Sequence, residues 1–125
     1  MGKKILICDD EAHIRLLLEQ TLEDLEDEGV ELLIASNGLE GLEQIKETEP
    51  DLVFLDVMMP KMNGFEVCQM VKQELGLENV YIIMLTAKGQ EYDRLQGEQV
   101  GADLYKTKPF DPDEILELAE EVLGL

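Results

Sequence analysis

The sequence predicts an α/β fold in which five β–α units build a parallel sheet wound on both faces by helices. Three observations predict it. Short apolar runs recur without polar alternation, amphipathic helical patterns fill the gaps between them, and the residues able to do chemistry stand where the runs end. Asp9-Asp10-Glu11 follows the first run, Asp56 the third, Thr86 the fourth and Lys108 the fifth. Ends of parallel strands gather in space, and ligands of open α/β sheets bind beyond the carboxyl ends, near the point where the strand order reverses.

Each element has its own justification. Lys4-Ile5-Leu6-Ile7-Cys8, Leu32-Leu33-Ile34-Ala35, Leu52-Val53-Phe54-Leu55 and Val80-Tyr81-Ile82-Ile83-Met84-Leu85 are continuous apolar runs, as expected of strands covered on both faces. Residues 103–108 form a weaker fifth candidate. Ile14, Leu17, Leu18, Thr21, Leu22 and Leu25 recur at three- and four-residue spacing and mark the first helix. Leu39, Leu42 and Ile45 mark the second, Cys68, Val71 and Leu75 the third, and Ile115, Leu118, Ala119 and Val122 the last. Asp10, Asn37, Asn63 and Asp111 fall at N-cap positions, and Pro112 suits a first helical turn. Residues 90–99 form a poorer helix. Only Tyr92 and Leu95 are large and apolar there, and Gly97 costs about 1 kcal/mol relative to alanine. That segment reads either as a plain solvent-facing helix or as the element most easily shifted by a partner.

A chain of 125 residues is expected to form one domain, residues 1–125, with a core that needs no staples. A formal net charge of −19 disfavours direct contact with nucleic acid or an anionic membrane and favours basic partners. Cys8 lies in an apolar run and Cys68 on a helical stripe, so both read as core thiols of a reducing compartment. No signal peptide and no apolar stretch near about 20 residues is seen, which points to a cytoplasmic protein.

Carboxylates crowded within about 5 Å repel by a few kcal/mol per pair at an effective dielectric near 20. Protonation or a cation must offset that. Mg²⁺ is hard, prefers oxygen and commonly binds through one or two carboxylates, water and a phosphate. One carboxylate can then attack phosphorus to give an aspartyl phosphate, while a lysine and a hydroxyl neutralise the equatorial oxygens. Asp56, alone on a central strand, suits the nucleophile; Asp9 and Asp10 suit the metal. Taken singly, each Asp at a strand-to-helix junction also reads as a simple cap.

These residues carry a resemblance. The chain resembles a receiver domain of two-component signalling, the response-regulator family that includes the chemotaxis regulator. The likeness runs from Lys3 to Leu123 and rests on four pieces in order: Ile7-Cys8-Asp9-Asp10-Glu11, the stretch from Phe54 to Gly64 around Asp56, Met84-Leu85-Thr86-Ala87, and the stretch from Gly101 to Phe110. It implies a flavodoxin-like (βα)5 fold with strand order 2-1-3-4-5. It implies that Asp56 is the phosphoacceptor and that Asp9, Asp10, Asp56 and the backbone carbonyl of Met58 hold Mg²⁺, with Mn²⁺ as a substitute. Lys108 and the Ala87 N–H would bind phosphoryl oxygens, Thr86 and Tyr105 would switch, and the Lys108–Pro109 bond would be cis. The donor would be a phosphohistidine on a histidine kinase or phosphotransfer protein. A downstream protein would dock on the face made by the fourth helix, fifth strand and fifth helix, including Tyr92, Leu95 and Tyr105. With no output segment after Leu125, the resemblance implies a stand-alone regulator, a signalling phosphoacceptor acting only on its own phosphoryl group.

Some residues depart from that pattern or read two ways. Lys106 stands where many members of the resembled family are apolar, and Met58 and Lys88 occupy positions that in that family tune attack by water on the acyl phosphate. Tyr105 also reads as ordinary aromatic packing. His13, the lone histidine, reads as an outward residue beside Leu16 and Gln20 that could touch a kinase. A haloacid-dehalogenase-type phosphatase would need an aspartate two residues past the nucleophile, where Met58 stands. A flavodoxin-like cofactor binder would need a hydroxyl- or glycine-rich phosphate loop after the first strand, where Asp9-Asp10-Glu11 would instead repel the cofactor's phosphate. A receiver-shaped interaction module that does not switch is the rival, and loss of any of the three aspartates or Lys108 would favour it; all four are present.

Overall fold

A computed structural model of the chain describes residues 2–87 and 91–125, with the side chains of all of these except 87, 91–94 and 97. The strands are β1 (Lys4–Cys8), β2 (Glu31–Ala35), β3 (Leu52–Asp56), β4 (Tyr81–Ala87) and β5 (Leu104–Lys108). The helices are α1 (Ala12–Leu22), α2 (Gly38–Thr48), α3 (Gly64–Gln69), α4 (Glu91–Val100) and α5 (Pro112–Leu123). All strand pairs are parallel, in the order β2-β1-β3-β4-β5. The chain winds outward from β1 to β2, returns to β3 on the other side of β1, and continues to β5. The order therefore reverses between β1 and β3.

Alternation along the strands explains the unbroken apolar runs. Ile5, Ile7, Leu52, Phe54, Ile83 and Leu85 pack with Leu18, Leu22, Ile115 and Ala119, so this face meets α1 and α5. Leu6, Cys8, Val53, Leu55, Ile82 and Met84 pack with Leu42, Ile45, Val67 and Val71 on the other face. Every residue of β3 is buried. Both thiols are free and buried, and burial pushes each up to about 12. Among the described residues no helix is long and apolar enough to cross a membrane.

Several details differ from the sequence expectation. Leu17, Leu39 and Leu75 are exposed, and Leu123 is buried where Val122 is only half-buried. Leu75 has a clear cause. After α3 the chain widens into a π turn over Met70–Glu74, and the Leu75 N–H donates to the Met70 carbonyl at 2.8 Å. The extra residue in that turn rotates Leu75 off the stripe begun by Cys68 and Val71. Past Leu22 the first helix tightens into a 3-10 stretch, Glu23–Glu28, that still buries Leu25.

Three N-caps are as expected. Asn37 accepts from Glu40 N, Asp111 accepts from Asp113 N, and Asn63 forms a reciprocal capping box with Glu66. Asp10 does not cap; Glu11 stands at that position and makes no side-chain cap bond. Asp9 Oδ1 accepts from Glu11 N at 2.9 Å instead. The Asn63 box fixes the start of α3, so Asn63→Ala is expected to cost about 1 kcal/mol, read as a lower urea midpoint with an unchanged slope.

Candidate functional site

Strand register assembles the site. Cys8 pairs with Leu55, which brings Asp9, one step on, beside Asp56. Asp56 pairs with Leu85, placing Thr86 just beyond it, and Ala87 pairs with Lys108. The carboxyl ends of four strands thus converge at the reversal of strand order. Asp9 is fully buried, and Asp56 and Thr86 are 5% and 3% exposed.

Lys108 is the hub. Its ammonium donates to Asp9 Oδ2 at 2.9 Å, Asp56 Oδ1 at 3.1 Å and Glu11 Oε1 at 3.3 Å. A lysine has three N–H donors, and each finds a carboxylate. Burial pulls the ammonium down, but the hydrogen bonds and charges of Asp9 and Asp56 outweigh it, and Lys108 ends above its ordinary value. Asp56 goes the other way for an acid. Burial first, and then the charge of Asp9, push it up to about 7 against the pull of Lys108. One cation does not offset this crowd of carboxylates. Asp9, Asp10, Glu11 and Asp56 each bring an oxygen within 4.8 Å of the others, a set that could hold a metal ion.

The remaining expected residues are placed as follows. Asp10 is exposed on the rim. Met58 lies two residues past β3 and is 74% exposed. Ala87 closes β4, and Thr86 lies next to it. Tyr105 is half-buried on β5 against the α2–α3 side of the core. Lys106 pairs with Glu114 of α5. The Lys108–Pro109 bond is cis. Leu95 is exposed on α4. Lys88 lies outside the described residues, as does the side chain of Tyr92. His13 is exposed, 3.6 Å from Glu11 Oε2.

Two participants escaped the sequence reading. Glu11 belonged to the acidic segment without a role of its own, yet it holds Lys108. Arg15, half-buried on α1, donates from Nη1 to the Asp9 carbonyl at 2.7 Å and ties the end of β1 to the helix. No residue pattern signalled the second, because Arg15 binds a main-chain oxygen that any residue at position 9 would supply.

The chain is similar to known proteins over most of its length. The family model described as "Response regulator receiver domain" matches residues 5–120. The alkaline phosphatase synthesis transcriptional regulatory protein PhoP of Bacillus subtilis is 45% identical over 115 residues, covering 92% of this chain and 46% of PhoP. The probable transcriptional regulator ycf27 of Porphyra purpurea is 49% identical over 113 residues, 90% of this chain and 44% of ycf27. The chain thus spans a little under half the length of these relatives. Protein PilG of Pseudomonas aeruginosa is 34% identical over 92% of this chain and 83% of its own. Among solved structures, Vibrio cholerae CheY4 superposes with a TM-score of 0.83 at 32% identity, over 98% of this chain and 99% of that one. The BeF3-activated DrrB receiver domain reaches 0.85 at 30% identity, over 100% of both. On the strength of that match and of the sheet order it accompanies, the chain belongs to the response regulator receiver domain family of two-component signalling.

Proposed function

We propose that residues 1–125 act as one phosphorylation-activated receiver in which Asp56 accepts a phosphoryl group from a phosphohistidine. The observation that carries this reading is the convergence of Asp9, Asp56 and Lys108 within hydrogen-bonding reach at the reversal point of the sheet. An Asp56 carboxylate oxygen attacks phosphorus, the P–N bond breaks, and its electron pair returns to the imidazole nitrogen. Burial has already stripped water from Asp56, so the attacking oxygen starts poorly solvated. Lys108 gives an N–H to one phosphoryl oxygen and the backbone N–H of Ala87 gives its own to another, with the Thr86 hydroxyl drawn toward the group.

The donor set suits a hard divalent cation, because its members are carboxylate oxygens crowded, among the described residues, around the ammonium of Lys108. Asp9, Asp10, Asp56 and the Met58 carbonyl would hold Mg²⁺, or Mn²⁺ in its place. When bound, it would neutralise charge on the phosphoryl oxygens.

Thr86 drawn toward the new charge, and Tyr105 packing behind it, would bias α4 between conformations that already exist. The receiving surface for a downstream protein would be α4, β5 and α5. Relatives named as transcriptional regulators extend well beyond this segment. At −19, these residues would themselves repel nucleic acid, so any DNA contact in such an architecture would belong to other segments. We place the reaction in the cytoplasm, where a histidine kinase or phosphotransfer protein would supply the phosphoryl group.

Intact-mass analysis after incubation with acetyl phosphate tests this. Wild type should gain one phosphoryl group only with Mg²⁺ present, and Asp56→Ala should gain none. A folded wild type that binds Mg²⁺ and takes no adduct would favour an interaction module that does not switch.

A further inference from the structure

Lys108 makes three carboxylate contacts, and they are unequal. Asp9 is fully buried at 2.9 Å, and its other oxygen already accepts from Glu11 N at 2.9 Å. Asp56, at 3.1 Å, is the group to be modified in the function proposed above, on which this inference rests. Glu11 is the longest contact, 3.3 Å, and its side chain is 47% exposed. All three N–H groups are committed, so a phosphoryl oxygen can be served only if one carboxylate withdraws. Asp9 has no water to withdraw into. Glu11 does, with His13 beside its outer oxygen at 3.6 Å, and new negative charge on Asp56 would repel it.

We propose that Glu11 is a positioning residue for Lys108: it holds the third N–H of the ammonium in the resting site and surrenders it to the incoming phosphoryl oxygen. Glu11 thereby opposes formation of the adduct, since its contact must break first. It does not act on the adduct, because by then it has let go. Removing it should speed phosphorylation and leave the lifetime of the phosphoryl group alone. A purely structural residue would change both or neither.

The test is a set of intact-mass time courses on the full chain with acetyl phosphate at saturating Mg²⁺. They compare wild type, Glu11→Gln and Glu11→Ala, each also combined with Lys108→Ala. The expected result is adduct formation about fivefold faster in both Glu11 variants, the size of a half-exposed ion pair. Loss of the adduct stays within about twofold of wild type, and the gain disappears in the Lys108→Ala background. Equal or slower formation, with wild type still phosphorylated, overturns the role of Glu11 and leaves the Asp56 reading standing. Absence of any adduct on wild type overturns both. A gain that survives Lys108→Ala and fades with salt reduces Glu11 to a charge felt by the donor, and also overturns the proposal. Should Lys108→Ala take no phosphoryl group, the ammonium resonance of Lys108 in metal-free protein with nitrogen-labelled lysine decides. A shift in Glu11→Gln supports the contact, and an unmoved resonance overturns it.

Discussion

With chelator present, Asp56→Asn is expected to be more stable than wild type by about 2 kcal/mol at pH 8 and nearly equal to it below pH 4. The cause is the company Asp56 keeps. Its carboxyl is buried beside Asp9, and the folded chain holds its proton up to about pH 7, whereas the ordinary value is 3.8. The folded state therefore binds more protons than the unfolded chain between those values, and stability falls as pH rises through that window. Above it the ionised carboxylate carries its full penalty, bounded at 1.36 kcal/mol per pH unit by something on the order of 4 kcal/mol. Asparagine removes the charge but keeps a polar group in place, and Lys108 retains Asp9 and Glu11. Urea denaturation at pH 4, 6 and 8 measures it. A stability gap that does not widen with pH would contradict the electrostatic account. Added Mg²⁺ should narrow the gap by stabilising wild type selectively.

Gly64→Ala is expected to cost about 3 kcal/mol and to slow phosphorylation. Gly64 opens α3 and donates its N–H to the Val57 carbonyl at 2.8 Å. A Cβ at this position would lie inside the contact sphere of the Asp56 carbonyl oxygen, 3.0 Å from Val57 Cα and 3.1 Å from the Asp56 carbonyl carbon. All of these are backbone atoms, with no flexible side-chain end to give way. Either α3 retreats or the end of β3 moves, and Asp56 moves with it. Thermal unfolding and the adduct time course should both change. A variant with wild-type stability and rate would show that the close approach is not needed. Gly38, buried at the start of α2, meets the Met62 backbone in the same way, so both helices flanking the phosphoacceptor loop begin on a residue that must lack a side chain.

The sheet was readable because both of its faces are covered. That turns β1, β3 and β4 into unbroken apolar runs, and the polar residues at their ends, Asp9, Asp56 and Thr86, are those buried at the site. β5 is only half-buried and reads as no such run. Lys108 was readable from its place at the end of that weaker candidate and from the stretch Gly101 to Phe110 that carries the resemblance. Helix phase was harder to read. Leu17 and Leu39 have the spacing of core residues but sit at the edge of their stripes, where about 100° per residue separates burial from water. Leu75 was lost to the π turn, which leaves no mark in the residue pattern. Asp10 looked like the cap of α1. Which of three consecutive acids is buried, which stays exposed and which of them reach Lys108 depends on how the chain turns out of β1. A carboxylate has the same chemistry in all three roles, so only the fold assigns Glu11 to Lys108.

The most direct test of the central claim is to locate the phosphoryl group. Protein treated with acetyl phosphate and Mg²⁺ would be reduced with borohydride, which converts an aspartyl phosphate to homoserine, then digested and read by peptide mass spectrometry. The account predicts homoserine at position 56 and nowhere else. Reduction at Asp9 or Asp10, or a stable phosphoryl group on His13 with Asp56 intact, would contradict it.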